Sequence, residues 1–212
     1  MIKDNLSALI QSIPSTVTLV AVSKTKPVAS LLEAHQTGQR DFGENKVQEL
    51  VDKASVLPQN IRWHMIGHLQ RNKVKYIAPF VSLIHSVDSF RLLNEIDKQG
   101  KKNDRVIDCL LQVRIAQEET KFGLTFENCN EILNQNNYTH VRIRGLMGMA
   151  SFTDNQIQIE SEFKSLAQYY KQYQDQYDWD TLSMGMSGDY PLALSCGSTM
   201  IRVGSRIFGS RN

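Results

Sequence analysis

Eight short apolar stretches punctuate this chain, and helix-patterned sequence follows all but the last. They fall at 18–23, 41–44, 61–67, 82–87, 105–115, 140–150, 181–187 and 198–209. In the first, Leu19, Val20, Ala21 and Val22 run together with no polar alternation. A run of this kind suits a strand covered on both faces. The segments between carry helical spacing and end signals, at 28–38, 45–57, 69–79, 88–101, 125–135, 155–174 and 190–197. Pro27 precedes the first and Gly38 ends it, Asp88 stands as the expected N-cap of the fourth, and Pro79 stops the third. Strands alternating with helices imply parallel pairing through right-handed crossovers. Eight units predict an α/β fold of the (β/α)8 TIM-barrel type, for which about 250 residues is typical. The 212 residues then form a single domain, 1–212, with short loops. A doubly wound open sheet is the alternative.

Composition narrows the function classes. A net charge of +2 is too small for a general nucleic-acid surface, so no nucleic-acid partner is expected. Arg71, Lys73 and Lys75 read as one solvated helix face. No apolar run reaches membrane-span length, and no membrane association is expected. Near the N-terminus, Ile2, Leu6, Leu9 and Ile13 sit at helical spacing without the continuous apolar stretch of a signal peptide. Cys109, Cys129 and Cys196 are scattered and odd in number, unlike a disulfide frame or a zinc site. A reduced, cytoplasmic protein fits.

In such a barrel, function gathers where the strands end. Those ends deliver Ser23 and Lys24, then Gly43, Glu44 and Asn45, then His64, Gly67 and His68, then His85 and Asp88. Later strands deliver Met147 and Gly148, then Ser183, Gly185, Ser187 and Gly188, and finally Arg202, Gly204 and Ser205. Phosphate sites in barrels are commonly built after strands seven and eight. There SMGMSGD and RVGS supply glycines for close backbone approach, hydroxyls and a helix start at 189–191. Lys24 leaves a buried strand at the same face, and a lysine amine attacks carbonyls. A lysine facing a phosphate cradle describes a small phosphorylated aldehyde or ketone. Pyridoxal 5′-phosphate (PLP) and a phosphosugar are both candidates. His64, His68 and His85 read as hydrogen-bonded wall residues with no metal-site spacing. Tyr169, Tyr170, Tyr173 and Tyr177 read as helix packing and surface.

LVAVSKTKP, DFGENKVQE, WHMIGHLQRNK, HSVDS, TKFGL, RGLMGMA, LSMGMSGDY and GSTMIRVGSRIFG together resemble the PLP homeostasis protein family over 19–209. The resemblance implies a barrel like the N-terminal domain of alanine racemase, with PLP as cofactor held as a Schiff base on Lys24. It implies phosphate contacts from Ser187, Gly204 and Ser205, Arg202 facing the pyridine nitrogen, and Asn45 near the cofactor. Lys121 of TKFG is implied to lie in a loop tied to cofactor handling. His68 stands where the family often has a small residue or proline, and Ser205 where threonine is frequent.

The same resemblance shapes the expected activity. An arginine cannot accept the pyridine proton, so it should hold that nitrogen unprotonated and weaken the electron sink. Racemisation needs acid–base groups on both faces of the substrate carbon. In alanine racemases one comes from a tyrosine of a second domain, and this chain, ending at Asn212, is expected to lack it. The expectation is a monomeric PLP carrier or buffer rather than an enzyme, handing PLP to accepting apo-enzymes. An amino-acid racemase is the alternative.

Overall fold

The structure, a computed structural model, describes residues 1–117, 122–135 and 137–209. Eight parallel strands close into a barrel in the order in which they occur in the chain. They are β1 (Thr18–Val22), β2 (Asp41–Glu44), β3 (Arg62–Met65), β4 (Leu83–Val87), β5 (Ile107–Val113), β6 (Val141–Gly148), β7 (Thr181–Ser183) and β8 (Met200–Val203). Closure is made by β8 on β1, in register from Thr18↔Met200 to Ala21↔Val203. The open-sheet alternative is thereby excluded.

Around the barrel lie α1 (Ile2–Ser12), α2 (Val28–Gln36), α3 (Val47–Val56), α4 (Val74–Ile77), α5 (Phe90–Lys102), α6 (Phe126–Asn134), α7 (Gln156–Tyr177), α8 (Tyr190–Ser195) and α9 (Ser205–Phe208). Their apolar faces seal the outside of the sheet: Leu92, Leu93 and Ile96 from α5, and Ile159, Phe163 and Leu166 from α7, are all buried. Each such side chain contributes about 1.5–3 kcal/mol of transfer free energy. The segment 69–79 is less regular than expected, with a 3-10 turn at Arg71–Lys73 before the four residues of α4. The N-cap of α5 is Ser89, whose side chain accepts from the Leu92 N–H, rather than Asp88. Asp88 instead pairs with His68, 3.1 Å away. The tyrosines of α7 are packing groups: Tyr170 donates to the Trp179 carbonyl at 3.0 Å and stacks on its ring, while Tyr169 donates to Asn130 Oδ1 at 2.7 Å. Among the described residues, no helix is long and apolar enough to cross a membrane.

One irregularity in the sheet has a visible cause. Pairing of β5 with β6 steps from Cys109↔Ile143 to Leu110↔Gly145, leaving Arg144 as an extra residue. Gly145 takes φ +143, and a Cβ there would run into the Thr181 carbonyl. The bulge turns Arg144 to Asp180 and Asp108 at the end of the barrel where the strands begin.

Inside the barrel the filling is divided. Val20, Leu83, Leu110, Met147 and Met200 form a small apolar cluster. The remaining space holds Asp41, His64, His85, Ser183 and Arg202, all of them buried.

Candidate functional site

A cavity of about 320 Å³ opens where the strands end. That volume lies at the low end for small-ligand pockets, about 300–1,000 Å³. Lys24, Asn45, Ser187, Arg202, Gly204 and Ser205, scattered along the sequence, all line it. Gly188 and Lys26 join them, with Val22, Ile66, Met149 and Met186 as apolar walls. The cationic lining residues are Lys24, Lys26 and Arg202, and among the described residues no carboxylate lines the cavity.

Lys24 is carried by a tight turn beyond β1. Thr25, the next residue, has φ +65, a left-handed conformation uncommon for a β-branched residue. The turn is clamped from beneath. The Thr25 N–H donates to Glu49 Oε1 at 2.5 Å, and Lys53 Nζ donates to the Ser23 carbonyl at 2.8 Å. Lys53 also bridges Glu44 Oε1 and Glu49 Oε1, each at 2.7 Å. Ser23 donates its hydroxyl to Glu44 Oε1 at 2.6 Å. Glu44 is fully buried, and burial raises its carboxyl above the usual range despite the bonds from Lys53 and Ser23. Glu44 therefore serves the turn from behind and does not line the cavity, although its strand ends there. Lys53 and Glu49 were not among the expected residues. A signal existed: Lys53 lies on the buried stripe of α3, three residues after Leu50 and four before Leu57.

Arg202 lies on the floor. Its Nη1 donates to the Ser183 carbonyl at 2.9 Å and to Ser183 Oγ at 2.6 Å, and its Nη2 donates to the Gly148 carbonyl at 3.1 Å. Burial pulls its guanidinium down to about 10, still charged at neutral pH. The segments after β7 and β8 meet at Ser187, whose Oγ accepts from the Gly204 N–H at 3.2 Å and whose carbonyl accepts from Arg206 Nε at 2.8 Å. The chain packs closely at Gly204, where a Cβ would stand 3.0 Å from the Val22 carbonyl oxygen. Lys26 Nζ donates to the carbonyls of Phe208 and Gly209, at 3.2 and 3.3 Å, tying the far end of the chain to the rim.

The histidines take different places from those their motifs suggest. His64 and His85 lie inside the barrel, 3% and 0% exposed, and do not line the cavity. Both are hydrogen-bonded wall residues. Each lies within its strand, ahead of the end residues Met65 and Val87, and points inward. His68 is exposed at the rim, stacked on Phe122 with ring centroids 4.4 Å apart. Ser183 and Met147 are interior residues as well. Asp189 stands at the N-cap position of α8, but its carboxylate accepts from the Met186 N–H of the preceding loop, at 2.6 Å, and not from the helix. Lys121 lies outside the described residues, as does the chain end at Asn212.

The alanine racemase N-terminal domain family matches residues 1–212. The pyridoxal phosphate homeostasis protein of Haemophilus influenzae is 38% identical over 205 residues, covering 93% of this chain and 86% of that protein. PipY of Synechococcus elongatus, solved with PLP bound, superposes with a TM-score of 0.90 at 36% identity, covering 99% of this chain and 100% of that one. An alanine racemase of Clostridium difficile, at 10% identity and TM-score 0.78 over 56% of its length, shares the fold alone. The chain belongs to the pyridoxal phosphate homeostasis protein family, on the alanine racemase N-terminal-domain barrel.

Proposed function

We propose that this protein binds PLP in the cavity at the strand ends, attached at Lys24 Nζ, and serves as an intracellular carrier or buffer rather than an enzyme. One observation supports this most: residues from six separate strand ends meet in one cavity with Lys24, Lys26 and Arg202 as cations and no described carboxylate. Such a donor set fits a dianionic phosphate on an aromatic aldehyde. Bound PLP supplies an aldehyde carbon for the lysine and a pyridine ring that can act as an electron sink.

Each lining residue then has a task. Ser187, Gly204 and Ser205 hold the phosphate where the loops after β7 and β8 meet. The clamped turn holds the Lys24 amine toward the cavity. Arg202 presents N–H donors toward the pyridine nitrogen and, as a cation, cannot accept its proton. It keeps that nitrogen unprotonated, which disfavours transamination. Asn45 lines the cavity from the end of β2 and would stand beside the ring. A racemase needs a second acid–base group opposite the lysine. Among the described residues, no tyrosine, histidine, cysteine or carboxylate lines this cavity.

The test combines a visible-absorbance PLP titration with steady-state assays on alanine and serine enantiomers. Wild type should develop a PLP band, Lys24→Ala should not, turnover should stay at background, and an apo-enzyme added to the loaded protein should gain activity. Robust turnover lost in Lys24→Ala would replace the carrier with the racemase.

A further inference from the structure

The cavity floor is connected to the opposite face of the barrel by one unbroken line of buried polar groups. Arg202 Nη1 donates to Ser183 Oγ at 2.6 Å. Ser183 Oγ lies 3.1 Å from His85 Nδ1. His85 Nε2 lies 2.9 Å from His64 Nδ1, and His64 Nε2 lies 3.0 Å from Asp41 Oδ1. Asp41 ends the line, held by Arg62 Nε at 2.7 Å and Nη2 at 2.5 Å. It opens on a second cavity of about 390 Å³ rimmed by the first residues of six strands, which shares no lining residue with the first.

Donor and acceptor chemistry gives the line a direction. Arg202 can only donate, so Ser183 Oγ accepts and must send its own proton on. The partner available is His85 Nδ1, which therefore carries no proton. His85 then holds its proton on Nε2 and donates to His64 Nδ1. His64 in turn carries its proton on Nε2 and donates to Asp41. Every bond points from the cofactor floor to the far face, and both histidines are neutral in the Nε2–H form. Burial, helped by the field of Arg202, pushes His85 well below the usual histidine range, in keeping with a neutral ring. The groups facing His85 are His64 from β3, Ser183 from β7 and Arg202 from β8. A reversed line would leave Ser183 accepting twice, with its proton displaced from His85.

We propose that His85 and Ser183 are positioning residues for Arg202, and that Asp41, by anchoring the line through His64, couples the far face of the barrel to the PLP site. The coupling rests on the PLP-binding role proposed above; the direction of the line does not. The experiment separates them. In ¹⁵N-histidine-labelled protein without PLP, nitrogen shifts should show His64 and His85 neutral and Nε2-protonated at neutral pH. An imidazolium or an Nδ1–H form at either residue overturns the direction. PLP titrations follow on wild type, Ser183→Ala, which removes one oxygen, and Asp41→Asn, whose amide permits reversal. Each variant should weaken PLP binding about 5-fold, the effect of one hydrogen bond. In Asp41→Asn the histidine shifts should also move toward the Nδ1–H form. Arg142→Ala, which breaks an exposed pair with Asp108 off the line, should leave PLP affinity unchanged. Unchanged affinity in both line variants overturns the coupling. Failure of wild type to bind PLP overturns the coupling together with the proposed function, while the tautomers still decide the direction.

Discussion

Lys53→Met tests the buried clamp under the lysine turn. In the native protein Lys53 Nζ holds Glu44, Glu49 and the Ser23 carbonyl at 2.7, 2.7 and 2.8 Å. Methionine fills much of the same space but carries no charge. Glu49 is partly exposed and can turn to water. Glu44 cannot: it is fully buried, one of its oxygens already has no partner, and only the Ser23 hydroxyl would remain on the other. Breaking a buried pair in this way costs about 3–5 kcal/mol. In a chain of this size that is roughly 6–20 °C in Tm. The pH dependence distinguishes this cause from lost packing. Glu44 is already raised by burial, and losing Lys53 raises it further. A carboxyl whose folded value exceeds its unfolded one stabilises the fold when protonated, and that stability is lost as pH rises from about 4.3 to the folded value. The deficit of the variant should be largest near pH 7.5 and shrink toward pH 5. Urea unfolding at a series of pH values, with m unchanged, measures it. A loss under about 1 kcal/mol, or a loss independent of pH, would refute the argument. Adding Glu44→Gln should restore part of the stability.

Gly145→Ala should cost at least about 3 kcal/mol, through positive φ and collision with the Thr181 carbonyl, and is read as a fall in soluble yield and Tm. Thr25→Gly should gain about 1 kcal/mol by relieving the left-handed strain beside Lys24, measured by urea midpoint; an equal loss would show the strain is absent. Asp41 supplies an acid limb. Burial pushes its carboxyl up, but the bonds from His64 and Arg62 outweigh this and hold it at about 2. Its contribution, about 2 kcal/mol, is present above the unfolded aspartate value and lost as pH falls from there toward 2. Asp41→Asn should flatten that limb of the stability–pH curve.

Much of the barrel was legible because a strand covered on both faces must be apolar almost throughout. Leu19–Val22 and the apolar run of β5 carry that mark without help from tertiary contacts. The cavity residues were legible because five of them follow strand ends and Arg202 stands one residue before one, and the structure gathers all six expected ones into one place. The histidines were harder. His64 and His85 stand near strand ends in sequence, yet β3 and β4 continue past them, and inward-pointing positions there face the barrel interior. Their partner Asp41 lies at the start of β2, and their partner Ser183 is 98 residues from His85, so no local pattern connects them. The Lys53 clamp was hidden for a related reason. A lysine four residues after a glutamate resembles a solvated helix pair, and only the packing of α3 on β2 shows that this one is buried. Ser89 replaces Asp88 as a cap because Asp88 is drawn to His68.

Borohydride reduction of the PLP-loaded protein, followed by peptide mass spectrometry, tests the central claim most directly. Fragment spectra must separate Lys24 from Lys26, which lines the same cavity two residues away. The account predicts one pyridoxyl adduct, on Lys24. An adduct on Lys26, a scatter over surface lysines or no adduct at all would contradict it.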